Sequence, residues 1–272
     1  VRRTSKFHTP RGNKNNYVIP EEPKEFQGNR FQYNLKVLEF LLEIEQEGRE
    51  ISKDEKAFLA GYSGFGGLAE ILYDENSYAF QKLDKSMRES ITSLMDVLHQ
   101  LDPDGSKGVI ESIKSSSLTA YYTPVEITRG IYDILEKVNY SRGTILEPSI
   151  GTGIFMGSLS QKFKADSKLY GIEKEYITAR IAQLLYPDTR IQNCGLETAS
   201  IPNNYFDLVI GNIPFGDTRI YDSNWDKNAN PIYKAAQCRI HNYFTVKMLE
   251  VARPGAILSF ITTSATLDTP GN

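Results

Sequence analysis

Cysteine is scarce in this chain, and its absence excludes several protein classes at once. Only Cys194 and Cys238 occur in 272 residues, far apart and without paired ligand spacing, so neither a disulfide framework nor a metal site is expected. There is no run of 18 apolar residues and no leader pattern, which argues against a membrane span or a secretory signal. Basic excess is also lacking. Lys and Arg number 31 against 34 Asp and Glu, a net charge of −3, so a generally basic nucleic-acid-coating protein is excluded while a local cationic cleft is not. These exclusions predict a cytoplasmic protein. What is present, 40% hydrophobic and 24% charged residues, is ordinary for a globular chain able to hold one domain of about 150 residues and a smaller one.

Three regions differ in pattern. Residues 1–16 carry Arg2, Arg3, Lys6, Arg11 and Lys14 with no acid. Set among Gly, Asn and Pro, they read as part of a flexible basic tail over 1–29, with a nucleic-acid arm as the other reading. Residues 30–118 read as a helical domain. Asn34 to Glu47 place Leu35, Val37, Leu38, Phe40, Leu41, Leu42 and Ile44 on a broad stripe, Ser52-Lys53-Asp54-Glu55 is a capping box for a helix closing at Gly61, and a third helix spans Lys85 to Leu101. The loop Gly64-Phe65-Gly66-Gly67 has no strand before it and no Lys after it. It is therefore expected to be a tight turn that packs its aromatic on the main domain, not a phosphate cradle.

From residue 119 to 272 strands and helices alternate. Strands near 144–147, 168–173, 189–192, 206–210 and 256–261, separated by helix-length segments, predict an α/β fold with a doubly wound, mostly parallel sheet. The stretch Phe206-Asp207-Leu208-Val209-Ile210-Gly211 runs as a buried strand into Asn212-Ile213-Pro214-Phe215, at the edge where open α/β sheets hold ligands. An Asn side-chain oxygen and the next backbone carbonyl can accept both hydrogens of an exocyclic amine, and Phe215 offers the base a face to stack on. A second apolar strand, Thr144-Ile145-Leu146-Glu147, breaks into Pro148-Ser149-Ile150-Gly151-Thr152-Gly153.

Together these motifs resemble the S-adenosylmethionine-dependent DNA adenine-N6 methyltransferase family, over roughly residues 119 to 268. The family has a class I methyltransferase, Rossmann-like sheet, an acid-Pro-small-Gly-x-Gly cofactor loop and an Asn-Pro-Pro-Tyr/Phe catalytic tetrapeptide. Here Ile213 replaces the first Pro, keeping the backbone carbonyl but losing the fixed φ of proline. The resemblance implies catalytic roles for Asn212, Ile213, Pro214 and Phe215. It implies that S-adenosyl-L-methionine is held by Tyr122, Thr123 and Pro124 near its carboxylate and by Glu147 near its ammonium. Ser149, Gly151, Gly153 and Asn212 would line the cradle, and Glu173 would take the ribose hydroxyls. The acid usual after the third strand is displaced in Asn193-Cys194-Gly195-Leu196-Glu197, so Leu196 is expected to pack on the cofactor adenine. A nicotinamide site would share the glycine turn, but Gly151-Thr152-Gly153-Ile154-Phe155-Met156-Gly157 has the wrong spacing and follows Glu-Pro.

The upstream stretch Lys56 to Gly67 and the Ile-Pro-Phe form of the tetrapeptide resemble the methylase regions of large methylase-helicase proteins of phages and conjugative elements. That implies DNA as partner and further helicase-like or target-recognition domains in the same polypeptide, with the sheet here expected to stop after its fifth strand. Cytosine N4, RNA amines and protein glutamine stay open as acceptors. So does a non-catalytic, methylase-like DNA-binding module of a mobile-element or anti-restriction protein. Asp217 to Arg239, carrying Tyr221, Trp225, Lys227, Lys234 and Arg239 without a sustained period, is expected to be a loop on the substrate side, either a clamp or a surface insertion. His241 is expected to pack or to cap a helix.

Overall fold

In the computed structural model the described residues are 13–21, 28–66, 73–116, 123–160, 163, 166–226 and 228–263. The chain divides into two compact units. One comprises Val1–Val18, Thr123–Lys174 and Tyr186–Asn272; the other comprises Ile19–Tyr122 and Glu175–Leu185.

The second unit is helical. Helix α1 (Arg30–Glu47) begins where the Asn29 side chain accepts from the N–H groups of Phe31 and Gln32, at 2.9 and 3.3 Å. It therefore starts four residues before the position at which its apolar stripe suggested a beginning. Leu35, Val37, Leu38, Leu41 and Ile44 are buried along it. Helix α2 (Lys53–Ala60) has both halves of the expected capping box, Glu55 N–H to Ser52 Oγ at 3.3 Å and Ser52 N–H to Glu55 Oε2 at 2.7 Å. Helices α3 (Tyr78–Gln81), α4 (Lys85–Leu101) and α5 (Val109–Ser116) follow, and α4 has the bounds its pattern predicted.

The glycine-aromatic turn differs from expectation in what it packs on. Phe65 is buried against Phe31 and Tyr62, edge to face at 5.4 and 6.4 Å, so these aromatic contacts lie within its own helical unit. The cause is Asn34, fully buried on α1, which accepts from the Ser63 N–H at 3.1 Å and donates to the Gly64 carbonyl. Gly67 lies outside the described residues. The helical unit also takes in helix α8 (Tyr176–Leu185), which the sequence placed with the 119–272 domain. Arg180 on α8 pairs with Glu45 of α1 at 2.5 Å, and Lys107 sits over the Tyr176 ring at 4.6 Å.

The first unit holds helices α6 (Val125–Lys137), α7 (Ile154–Ser158), α9 (Pro231–Ala236) and α10 (Ile240–Val251) and the sheet. Strands β1 (Thr144–Glu147), β2 (Lys168–Glu173), β3 (Arg190–Asn193), β4 (Phe206–Asn212) and β5 (Ala252–Ile261) lie in the order β3-β2-β1-β4-β5. Every pairing is parallel. The order reverses between β1 and β4, the signature of a doubly wound sheet, and ligands bind outside the strand ends at such a reversal. β4 runs two residues beyond its expected end, carrying the ladder to Asn212 opposite Ile261, and β5 starts at Ala252 because Ala252 pairs with Phe206 across a register shift. The core cluster joins Leu146, Tyr170, Ile172 and Val209 of the sheet to Trp225 and to Tyr243, Phe244, Met248 and Val251 of α10.

Part of the expected tail is docked. Asn13 donates to the Ser167 carbonyl at 2.7 Å, Asn16 donates to Thr189 Oγ1 at 3.0 Å and accepts from the Asp188 N–H at 2.9 Å, and the Asn15 N–H donates to Asp188 at 2.7 Å. Three asparagines that read as solvated tail residues thus act as hydrogen-bonding clips, while the Arg2, Arg3, Lys6 and Arg11 cluster lies outside the described residues.

Candidate active site

Two strand ends meet at the topological reversal. β1 delivers Glu147 and then Pro148-Ser149-Ile150-Gly151; β4 delivers Asn212 and the rest of the tetrapeptide. They are tied by Ser149, whose hydroxyl donates to the Asn212 backbone carbonyl at 2.8 Å. The opposite ends of these two strands are tied as well: Asp207 accepts from Thr144 N–H at 2.6 Å and from Thr144 Oγ1 at 2.8 Å and pairs with Arg253. Burial opposes the charge on Asp207, but these donors overcome it and hold its carboxyl below the usual range.

Glu147 is 1% exposed, and its Oε2 has no hydrogen-bond partner among the described residues. Burial, and then the charge of Glu173, push its carboxyl well above the usual range. Glu173 at the end of β2 accepts from the Gly151 N–H at 2.9 Å, so one of its oxygens braces the glycine turn. Gly151 and Gly153 have φ of +56° and +84°, a region that residues with a Cβ enter at a cost. They differ in surroundings. A Cβ on Gly151 meets nothing within 4 Å, whereas one on Gly153 lands 2.2 Å from the Tyr186 ring. Gly151 thus faces open space, and Gly153 is glycine because an aromatic of the same unit lies against it.

The remaining expected residues divide. Thr123 is buried and Pro124 is the N-cap of α6; Tyr122 lies outside the described residues. Leu196 is 3% exposed within the core cluster that also holds Ile213 and Trp225. Ile213 is 1% exposed, while Phe215 is 48% exposed at the mouth of the site. His241 packs, being 4% exposed, and gives α10 no side-chain cap.

The segment after the tetrapeptide is neither a bare loop nor a loose insertion. It contains α9, and its middle is anchored in the core: Asp222 is fully buried and accepts from Tyr243 Oη at 2.8 Å, Lys247 Nζ at 3.3 Å and Asn224 N–H at 2.9 Å. Burial works against that carboxylate, and the donors outweigh it, so its pKa is lowered. Trp225 is 3% exposed and donates to Glu250 at 3.2 Å, which fits neither a clamp nor a surface insertion. Tyr221 stays exposed, and Lys227 lies outside the described residues. Sequence reasoning missed this anchor. Its available signal was Tyr243, Lys247 and Glu250, polar positions at i, i+4 and i+7 along one face of the helix.

Residues 110–269 match the family of N-6 DNA methylases, and the chain belongs to that family. Defense against restriction protein B of Escherichia phage P1 is 30% identical over 206 residues, 71% of this chain but only 9% of that protein's length. Among solved structures, the methyltransferase subunit of a type I restriction-modification system from Streptococcus thermophilus is 16% identical, with a TM-score of 0.49 over 93% of this chain and 59% of that one. A protein of Listeria monocytogenes described as a class I S-adenosylmethionine-dependent methyltransferase is 19% identical, with a TM-score of 0.48 over 88% of this chain and 75% of its own.

The methyl donor of the family is S-adenosylmethionine, and the residues present fit it. The cradle has a buried, unpartnered carboxyl oxygen on Glu147 able to face an ammonium, and a glycine turn at Gly151 open on its Cβ side. Among the described residues no group of three or more His, Cys, Asp or Glu side chains could hold a metal ion, and no helix is long and apolar enough to cross a membrane.

Proposed function

We propose that this domain methylates the exocyclic N6 amine of adenine in DNA. The observation that carries this reading is the placement of Asn212-Ile213-Pro214-Phe215 at the end of β4, beside the Glu147–Gly151 turn of β1. The bound cofactor supplies an electrophilic methyl group. The protein supplies geometry. The Asn212 side-chain oxygen and the Ile213 carbonyl accept the two amine hydrogens, favouring a pyramidal nitrogen whose lone pair points at the methyl group, so positioning and electrostatics carry the catalysis. Exposed Phe215 stacks on a base flipped out of the duplex, since the amine is out of reach inside the stack. Thr123 and Pro124 take the carboxylate end of the donor, Glu147 its ammonium, and Glu173 its ribose.

Methyl transfer from labelled cofactor to DNA, RNA and protein, run in parallel, tests the acceptor. Label in DNA alone is expected; label in protein or RNA alone would refute the DNA reading. A second reading, a binding module without turnover inside a larger protein, is favoured by the similarity to a defence-against-restriction protein many times longer than the matched region. Cofactor binding without transfer to any acceptor would support it.

A further inference from the structure

The peptide unit between Asn212 and Ile213 is held from both sides. Its carbonyl accepts from Ser149 Oγ at 2.8 Å, and its N–H, that of Ile213, donates to the Ile261 carbonyl at 3.0 Å. The first bond reaches the turn after β1 and the second reaches the last residue of β5, so one rigid peptide plane cross-links three strand ends at the site. The Ile213 side chain, 1% exposed among Leu196, Trp225, Tyr243 and Phe244, adds an apolar anchor.

We propose that Ser149 and Ile213 are positioning residues, which together clamp this peptide and thereby aim the Asn212 side chain and the Ile213 carbonyl. The clamp does here what the proline ring does in the common form of the tetrapeptide: it fixes the backbone at residue 213. The two solutions exclude each other. Proline has no N–H to give Ile261, and its ring would not fill the pocket of a branched side chain. Ile213→Pro therefore damages this chain instead of restoring a lost motif, and Ser149 serves Asn212 before it serves any cofactor. The rate arm of the test rests on the methyl-transfer reading, whereas the exchange arm does not.

The experiment uses the 272-residue chain with Ser149→Ala, Ile213→Pro and the conservative Ile213→Val. Amide hydrogen exchange by NMR should show the Ile213 amide slowed at least about 100-fold, as expected of a ladder bond. It should be preserved in Ile213→Val, and Ile213→Pro should lose protection at the end of β5. Calorimetry should find cofactor affinity within about threefold of the parent in all three. Single-turnover methyl transfer should fall about tenfold in Ser149→Ala and by more in Ile213→Pro, as loss of one or two positioning bonds implies. A freely exchanging Ile213 amide overturns the clamp whatever the rates. So does Ile213→Pro turning over as fast as the parent, or Ser149→Ala losing cofactor affinity in step with rate. If no variant and no parent transfers methyl, the methyl-transfer reading fails alone, and the exchange result still decides the clamp.

Discussion

Glu147 makes a prediction that requires no turnover. Its carboxyl is 1% exposed, leaves Oε2 unpartnered, and faces Glu173, Tyr132 and Tyr186 with no cation among them. Burial comes first in raising its pKa and Glu173 second. The folded protein therefore keeps a proton that the unfolded chain gives up once pH exceeds the ordinary carboxylate value. Where the folded state binds more protons, stability falls as pH rises. For one group the slope is about 1.4 kcal/mol per pH unit until the folded-state pKa is passed. Glu147→Gln has no such proton. Urea unfolding of both proteins from roughly pH 5 to 8 should show the parent losing stability relative to the variant by about that slope over the lower part of the range, and titrating groups that do not interact with Glu147 cancel in the difference. Saturating cofactor should flatten the tilt, because an ammonium beside Glu147 favours the carboxylate. Parallel curves for parent and variant would refute the picture of a buried, unpaired carboxyl awaiting a cation.

Other substitutions separate structural from ligand roles. Gly151→Ala should fold with a loss of about 1–2 kcal/mol from its φ alone and weaken cofactor binding by calorimetry, whereas Gly153→Ala should lower the melting temperature markedly as its Cβ meets the Tyr186 ring. Glu173→Gln should weaken cofactor binding by about 1.5–3 kcal/mol through lost acceptance of ribose hydroxyls, and unchanged affinity would remove it from the site. Asp222→Asn should cost about 1–3 kcal/mol in urea unfolding by weakening the buried bonds that Tyr243 and Lys247 donate, while Lys247 keeps Glu250 at 3.1 Å. Because the Asp222 pKa is lowered in the folded state, its contribution is full above the ordinary carboxylate value and should vanish as pH falls through the lower folded value.

The sheet was legible in the sequence because buried parallel strands are short apolar runs ended by turn residues, and the glycine turn and tetrapeptide sit at two of those ends. The capping box at Ser52 and the span of α4 were legible for the same local reason. What escaped is long-range. Nothing local marks Asn34 as the residue that turns Phe65 inward, or Asn13, Asn15 and Asn16 as clips for residues more than 150 positions away. Asp217 to Arg239 looked featureless because its anchor is tertiary, with Asp222 and Trp225 reaching groups on α10. Ile213 was read as the loss of a proline's restraint, although an N–H that proline lacks forms a bond to β5.

The central claim is that Asn212 at the end of β4 accepts from an adenine amine during methyl transfer. The most direct test incubates adenine-containing DNA with cofactor and either the parent or Asn212→Ala, then quantifies N6-methyladenine by mass spectrometry of the digested product. N6-methyladenine should form with the parent, and Asn212→Ala should lower turnover on the order of 10²–10³-fold, by analogy with removal of an oxyanion donor, with cofactor affinity little changed. Parent-like rates from Asn212→Ala, or methyl groups found only on another atom, would contradict it.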